Sequence, residues 1–300
     1  MSVQLALKVD VDTLRGTLEG VPALTAALAD AGADATFLFS LGPDHTGRAL
    51  RRVFRPGFFR KVSRTSVLEH YGLRTLLYGT LLPGPDIGRR AAGVMRRVRD
   101  AGFEVGIHCY DHTSWQDLVS RRGAQWTRRQ MRLAVDRFSE IFGSAPSVHG
   151  AAGWQINEAA LAFEQELGFH YASDTRGSGP FVPLLQGRRS RCPQLPTTLP
   201  TLDELIGVDG IGAGHVHEPL LALTQEPRAH QVFTLHAELE GMKLLPVLRR
   251  LMQGWRSQGY ELVSMRTLFA GLDIGRLPAA TIHDGTVPGR SGLLAVQAPL

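Results

Sequence analysis

The sequence predicts an α/β fold built around one parallel sheet, either a barrel or a doubly wound sheet. Four times a helix-like segment ends in glycine, at Gly32, Gly102, Gly168 and Gly259, and a short apolar run follows directly. Glycine is favoured after a helix because it adopts the left-handed conformation without a steric penalty. Short apolar runs are typical of buried parallel strands. Such a repeat over most of a 300-residue chain indicates a single α/β domain.

The elements follow this pattern in order along the chain. Strands are expected at 5–11, 35–39, 103–107, 169–171, 231–235 and 260–263, and two helices with N-cap residues at 127–142 and 157–167. Three stretches depart from the pattern: an insertion at 43–88, a Gly-, Pro- and Arg-rich loop at 177–200, and the tail. We therefore divide the chain into an α/β body at 1–275, which carries the insertion, and a tail at 276–300. The tail is expected to be an extended segment on the body or a mobile end.

The composition is that of an ordinary globular protein and excludes disordered and fibrous classes. Apolar residues make up 43% of the chain, charged residues 20% and aromatic residues 7%. No apolar run approaches the roughly 20 residues that a transmembrane helix needs. The N-terminus lacks the basic and apolar segments of a secretory signal, and two cysteines are too few for a disulfide framework. We expect a cytoplasmic protein without a signal peptide or transmembrane helix.

Two motifs at strand ends predict a hydrolytic metal centre. Asp10 and Asp12 close the first strand on one face, because side chains alternate along a strand, and His108 and His112 follow a later strand. In parallel α/β folds the carboxyl ends of the strands share one rim, where active sites collect. One carboxylate and two imidazoles can hold a divalent cation, and the other carboxylate can take a proton from water. Either pair alone would be weak support, since Asp-x-Asp also serves in turns.

Other candidates lie at the same predicted rim. His236 ends the strand at 231–235 and is either a general acid or a histidine bonded to backbone. Asp174 and Arg176 follow another strand and form a surface ion pair or orient the base or the substrate. Cys109 could be a third ligand but is expected to point away. Asp111 could hydrogen-bond a ligand imidazole.

The positive charge of the chain is concentrated in the insertion. Between Pro43 and Pro85 there are eight basic and two acidic residues, so the net charge of this stretch is +6, while that of the whole chain is +5. It is either a solvated helix packed on the body or an amphipathic element on an anionic membrane surface. We exclude nucleic acid as the partner, because it would leave the metal motif without a role. The candidate membrane-facing residues are Arg51, Arg52, Arg55, Phe58, Phe59 and Arg60.

These motifs resemble those of the polysaccharide deacetylase (NodB-like, carbohydrate esterase 4) family of metal-dependent amide hydrolases, over roughly residues 3–270. The resemblance implies an irregular (β/α)7 barrel. It implies Asp10 as the base and His236 as the acid. The implied ligands of a zinc, manganese or cobalt ion are Asp12, His108 and His112.

The chain departs from this family at the third motif. An Arg-x-Pro-aromatic sequence is usual there, whereas this chain has Ala-Ala-Gly-Trp at 151–154. The arginine that braces the base is missing, and we expect Arg176 to replace it. Trp154 and Asp174 are expected to bind or orient the substrate.

A narrower resemblance within the family is carried by the segments 10–17, 40–44, 151–154, 173–177 and 235–238. It implies removal of formate from 4-formamido-arabinose carried on undecaprenyl phosphate, by a peripheral enzyme at the cytoplasmic face of the inner membrane. Two alternatives stay open. One is a deacetylase of N-acetyl sugars or peptidoglycan, which the missing signal segment disfavours. The other is a non-catalytic protein that binds lipid-linked sugars.

Overall fold

The computed structural model of the chain describes residues 3–49 and 74–299. The candidate membrane-facing residues lie outside the described residues, and so does the middle of the insertion. Among the helices described, none combines the length and the apolarity that crossing a bilayer would need.

The strands and helices of the described residues alternate over most of the chain. The strands are β1 (Val3–Val11), β2 (Thr36–Ser40), β3 (Glu104–Cys109), β4 (Val148–His149), β5 (Tyr171–Ala172), β6 (Val182–Leu185), β7 (Arg188–Arg189), β8 (Gln231–His236), β9 (Tyr260–Val263), β10 (Ala279–Ala280), β11 (Ile282–Gly285) and β12 (Leu294–Gln297). The helices are α1 (Val21–Asp30), α2 (Ile87–Asp100), α3 (His112–Leu118), α4 (Ala124–Phe142), α5 (Glu158–Leu167), α6 (Leu202–Leu205), α7 (His217–Leu223), α8 (Leu245–Ser257) and α9 (Met265–Ala270).

Six strands form a parallel sheet in the order β5-β4-β3-β2-β1-β8, and β9 pairs with the first residues of β1. Between the two edge strands runs the irregular segment 194–199. Leu195 N donates to Ala172 O of β5 at 2.8 Å, and Thr198 N donates to Val232 O of β8 at 3.1 Å. The sheet therefore curls into an irregular parallel barrel, which confirms the predicted fold class.

The side chains of β1 point alternately to the two faces of the sheet and so contribute to two apolar layers. Leu5, Leu7 and Val9 are fully buried and pack with the surrounding helices. Ala6 points to the other face and packs inside the barrel with Leu38 of β2 and other buried side chains. Burial of each such leucine or valine stabilises the fold by about 1.5–3 kcal/mol. The interior face also carries the polar residues of β1, so the apolar layers fix which side chains reach the barrel mouth.

The helix ends follow local signals, with one difference from the prediction. The four glycines at the predicted helix ends all have positive φ, from 56° at Gly32 to 95° at Gly102. α5 begins at Glu158 with Asn157 as N-cap, whose side chain accepts a hydrogen bond from Ala160 N. α4 begins at Ala124 rather than at residue 127. Its N-cap is Gly123, which has no capping side chain, so the sequence signal was absent.

The tail lies on the body near the barrel mouth. β11 and β12 form an antiparallel hairpin, and β10 pairs with β6. Arg176 N donates to Ala295 O at 2.9 Å and Gln297 N donates to Arg176 O at 2.8 Å. The tail is thereby joined to the segment that follows β5.

Candidate metal centre and active site

Three predicted ligands meet at the carboxyl ends of β1 and β3. Asp12 follows β1 directly, His108 lies in β3, and His112 is the first residue of α3. Asp12 Oδ1 lies 3.2 Å from His108 Nε2 and 3.4 Å from His112 Nε2. Because His108 lies in a strand and His112 begins a helix, the two histidines do not lie on one face of a helix. A strand end and a helix start bring their rings together, with centroids 5.3 Å apart.

The hydrogen bonds of this cluster suit a bound cation. His108 Nδ1 lies 2.6 Å from the carbonyl oxygen of Gly150, which can only accept, so Nδ1 donates to it and Nε2 is the ring atom that a metal ion would bind. Asp12 Oδ1 is buried and has no hydrogen-bond donor. Burial alone would raise the pKa of Asp12, but the charge of His112 and then His108 and His236 lower it well below its usual value. A carboxylate and two imidazoles that face one another fit a divalent metal ion.

Asp10, the predicted base, is buried beside this cluster and paired with a lysine. Asp10 Oδ2 lies 3.4 Å from Lys8 Nζ, and Oδ1 lies 3.7 Å from His108 Nδ1. Asp10 Oδ1 has no hydrogen-bond partner. Lys8 is fully buried and also donates to the carbonyl oxygen of Ser173 at 3.0 Å. Lys8 was not singled out from the sequence, although a lysine inside an otherwise apolar strand was a visible signal.

His236 is positioned level with Asp10 on the neighbouring strand. The parallel pairing of β1 and β8 places the two Cα atoms opposite each other. The backbone N of His236 donates to Glu240 Oε2 at 2.7 Å, which fixes the strand end. The ring lies edge-on to Trp154, with centroids 6.2 Å apart, and its Nδ1 is buried without a hydrogen-bond partner. Asp10, Asp12, His108, His112 and His236 thus come together at the rim, as the strand-end rule predicts.

Trp154 packs beside His236 in an unusual backbone conformation. Its φ is 51°, in the left-handed region that bulky residues rarely adopt. The ring Nε1 donates to Thr197 Oγ1 at 3.1 Å. Arg176 and Arg290 lie over the ring at 5.1 and 4.7 Å from its centroid. Such an outlier costs about 1–3 kcal/mol and persists only where its surroundings hold it.

The expectation that Arg176 braces the base is wrong. Its guanidinium pairs with Glu204 and donates to Leu199 O at 3.0 Å. Lys8, not Arg176, makes the ion pair with Asp10. Arg176 does not form a surface pair with Asp174 either, because Asp174 is fully buried and bonded elsewhere.

Asp174 belongs to a second cluster with His149 and Glu164. His149 Nδ1 lies 2.7 Å from Glu164 Oε1 and 3.0 Å from Asp174 Oδ1. Burial alone would lower the pKa of His149, but the charge of Asp174 and hydrogen bonds to both carboxylates raise it to about 10. Burial and then the charge of Asp174 raise the pKa of Glu164 to about 8. Asp174 Oδ1 also accepts from Ala151 N at 2.8 Å, which anchors the turn that carries Gly150.

Two remaining candidates turn away from the metal ligands. Cys109 Sγ lies 3.3 Å from Ser40 Oγ in the apolar core, and burial raises the pKa of its thiol well above the usual value. The imidazole held by Asp111 is that of His45, whose Nδ1 lies 2.7 Å from Asp111 Oδ2.

A glutamate after β8 holds the turn that carries Asp12, and it was not predicted. Glu238 Oε1 accepts from Asp12 N at 3.1 Å and from Thr13 N at 2.8 Å. Burial and then the charge of Asp12 raise the pKa of Glu238 to about 8. Its role depends on a contact between residues more than 200 positions apart, which no local pattern indicates.

The fold is that of the polysaccharide deacetylases. A putative polysaccharide deacetylase from Mycobacterium smegmatis superposes with a TM-score of 0.64 at 16% identity, over 96% of each chain. A peptidoglycan N-acetylglucosamine deacetylase superposes with a TM-score of 0.53 at 16% identity, over 89% of this chain and 88% of that one. Barrel and site together define an α/β protein with the fold of this class and a candidate metal centre.

The sequence relatives are more specific. A probable 4-deoxy-4-formamido-L-arabinose-phosphoundecaprenol deformylase from Shewanella sediminis is 35% identical over 99% of this chain and 95% of its own length. A probable deformylase of the same name from Wigglesworthia glossinidia brevipalpis is 30% identical over 94% of this chain and 98% of its own. No family model matches the chain. The chain belongs to the family of 4-deoxy-4-formamido-L-arabinose-phosphoundecaprenol deformylases, and it is a hydrolase that acts on an amide bond.

Proposed function

We propose that this protein removes formate from 4-deoxy-4-formamido-L-arabinose carried on undecaprenyl phosphate, in lipid A modification and resistance to cationic peptides such as polymyxin. The observation that carries the proposal is the meeting of Asp10, Asp12, His108, His112 and His236 at one rim, in a chain 35% identical to a probable deformylase of that substrate. The names of the relatives supply the substrate.

Asp12, His108 and His112 would hold a divalent ion, which we propose to be zinc, manganese or cobalt. A bound ion of this kind polarises the formyl carbonyl and lowers the pKa of water. His108 Nδ1 donates its proton in a hydrogen bond to the Gly150 carbonyl oxygen, so Nε2 is the atom available as a ligand. The buried, unpartnered position of Asp12 Oδ1 suits the same role.

The other residues move protons. Asp10 Oδ1 has no partner in the structure and accepts the proton of the attacking water. His236, across the β1–β8 pair, donates a proton to the departing sugar nitrogen. Trp154 lies edge-on to His236 and fixes the position of its ring. Base and acid thus act on the substrate from neighbouring strands.

We also propose that the protein works as a peripheral enzyme at the cytoplasmic face of the inner membrane. A lipid-linked substrate and the charge of +6 between Pro43 and Pro85 support this. Replacement of Arg51, Arg52, Arg55 and Arg60 by Glu is expected to weaken sedimentation with anionic vesicles and to leave hydrolysis of a short-chain substrate intact. Unchanged sedimentation would remove the membrane proposal.

The chemical test uses purified protein with zinc, manganese or cobalt. It is incubated with a formamido-arabinose phospholipid and, separately, with the acetamido analogue, and released formate or acetate is measured. Formate alone is the expected product. Acetate release at a similar rate would favour an N-acetyl sugar deacetylase instead. No product together with metal stoichiometry near zero would favour a non-catalytic binding protein.

A further inference from the structure

Lys8 is a charged residue in a place where charge is unfavourable. It lies in the middle of β1 and none of its surface is exposed. A buried ammonium group is tolerated only when it is paired and hydrogen-bonded. The contacts of Lys8 therefore indicate what it is for.

The surroundings of Lys8 hold its ammonium group in one position. Nζ donates to the carbonyl oxygen of Ser173 at 3.0 Å and lies 5.5 Å from the ring centroid of Trp154. Ser173 is itself fixed, since its Oγ donates to Leu195 O at 2.7 Å. Gly150 leaves room for the lysine chain, because a Cβ there would lie 3.2 Å from Lys8 Cε. The third contact of Nζ is Asp10 Oδ2, at 3.4 Å.

We propose that Lys8 is a positioning residue, which holds Oδ2 of Asp10 so that Oδ1 faces the attacking water. The proposal rests on the proposed function, in which Asp10 is the base. Lys8 and Asp10 lie two residues apart on one strand face, so the strand itself sets their spacing. In the low-dielectric interior this pair interacts more strongly than a pair on the surface. Lys8 thus takes the place that Arg176 was expected to fill.

Kinetics separate this role from metal binding. Lys8→Met removes the charge and keeps a chain of similar length. We expect kcat to fall by about 10²-fold, at the lower end of what a general base contributes, while KM and metal content stay unchanged. The variant Arg249→Met is a matched control, since it removes a cation from a surface pair with Asp30. A Lys8→Met enzyme with more than about a tenth of the wild-type kcat would overturn the proposal.

Chemical rescue tests for the charge itself. Lys8→Ala leaves a cavity the length of the lysine chain, and propylammonium is expected to restore kcat in a saturable manner. Propanol has the same length and no charge, and it is expected to restore nothing. Equal rescue by both compounds would mean that Lys8 only fills space.

A double-mutant cycle keeps the proposal testable if the variants fold poorly. Urea unfolding is measured for the wild type, Lys8→Met, Asp10→Asn and the double variant. We expect Lys8→Met to shift the unfolding equilibrium about tenfold more when Asp10 is present than when it is combined with Asp10→Asn. Additive effects would overturn the pairing. Strong coupling in a protein that releases no formate would instead refute the proposed function and leave the pairing in place.

Discussion

Two clusters of histidine and carboxylate side chains lie on neighbouring strands of this barrel, and both have atoms placed to hold a metal ion. In each cluster the candidate ligand atoms lie within 4.8 Å of one another. The rim cluster has Asp12 with two histidines, and the His112 side chain is 22% exposed. The inner cluster has His149 with two carboxylates, and none of the three is more than 2% exposed. One cluster is open to a substrate and the other is sealed.

The clusters also differ in what balances their charge. In the rim cluster, His108 Nδ1 donates to the Gly150 carbonyl, so Nε2 is the His108 atom that faces Asp12. In the inner cluster the imidazolium is itself the cation, because the pKa of His149 is raised to about 10. Gln194 and Ala151 N complete the hydrogen bonds of Asp174. The hydrogen bonds of the two clusters, rather than their residue types, therefore indicate that the rim cluster is the candidate metal site.

The largest expected effects fall on the rim cluster. His108→Ala is expected to lose the metal and all turnover, because it removes one of three ligands. Asp10→Asn and His236→Ala are expected to keep the metal and lose about 10²–10⁴-fold in kcat, the usual contribution of general acid–base groups. Metal content by atomic emission, measured beside rates of formate release, checks both. An active Asp10→Asn enzyme would contradict its assignment as base.

The inner cluster is expected to affect stability rather than metal content. His149→Phe leaves Glu164 and Asp174 buried without a cation and is expected to lower the free energy of unfolding by about 3–5 kcal/mol. Urea unfolding measures this. His215→Phe is the matched control, since His215 is in an exposed pair with Glu218. Loss of metal from His149→Phe without loss of stability would show that the inner cluster binds the ion.

Alkaline pH is expected to weaken the inner cluster. The folded pKa of His149, about 10, lies above its ordinary value of 6.5, and that of Glu164, about 8, lies above 4.5. A raised folded pKa stabilises the protein below the unfolded value, and this stabilisation is lost as pH rises through the folded value. The stability difference between wild type and His149→Phe should therefore shrink from pH 7 to pH 10. A difference that stays constant over this range would mean that His149 is neutral in the folded protein.

The contrast between the clusters also shows which site residues can be predicted from the sequence. Asp10, Asp12 and His108 were predictable because each ends or follows an apolar strand and parallel strands share a rim. Glu164 was not predictable, since it lies inside α5 and its partner His149 is known only once the helix packs on the sheet. Lys8 was predictable in principle, since it lies two residues before Asp10 on the same strand.

The wrong expectation for Arg176 also shows that side-chain pairing between distant segments is hard to predict from the sequence. A missing arginine in the third motif suggested that another arginine replaces it, and proximity in the sequence to the predicted rim favoured this one. The structure pairs Arg176 with Glu204 instead. Side-chain pairing between distant segments depends on the barrel closure through 194–199, which has no local signature.

The smallest expected effect links the two clusters. Asp174 Oδ1 accepts a hydrogen bond from Ala151 N, and the carbonyl oxygen of the adjacent Gly150 accepts one from His108 Nδ1. Asp174→Asn keeps the shape of the side chain but weakens its pairing with His149, so the turn should hold the ligand ring less firmly. Residues that orient metal ligands typically contribute about 10–100-fold in metal affinity, and we expect a loss of about tenfold. Titration with a competing chelator measures it, with Glu218→Gln as control. Unchanged affinity would confine the inner cluster to a role in stability, because the turn at 150–154 would then keep its position without it.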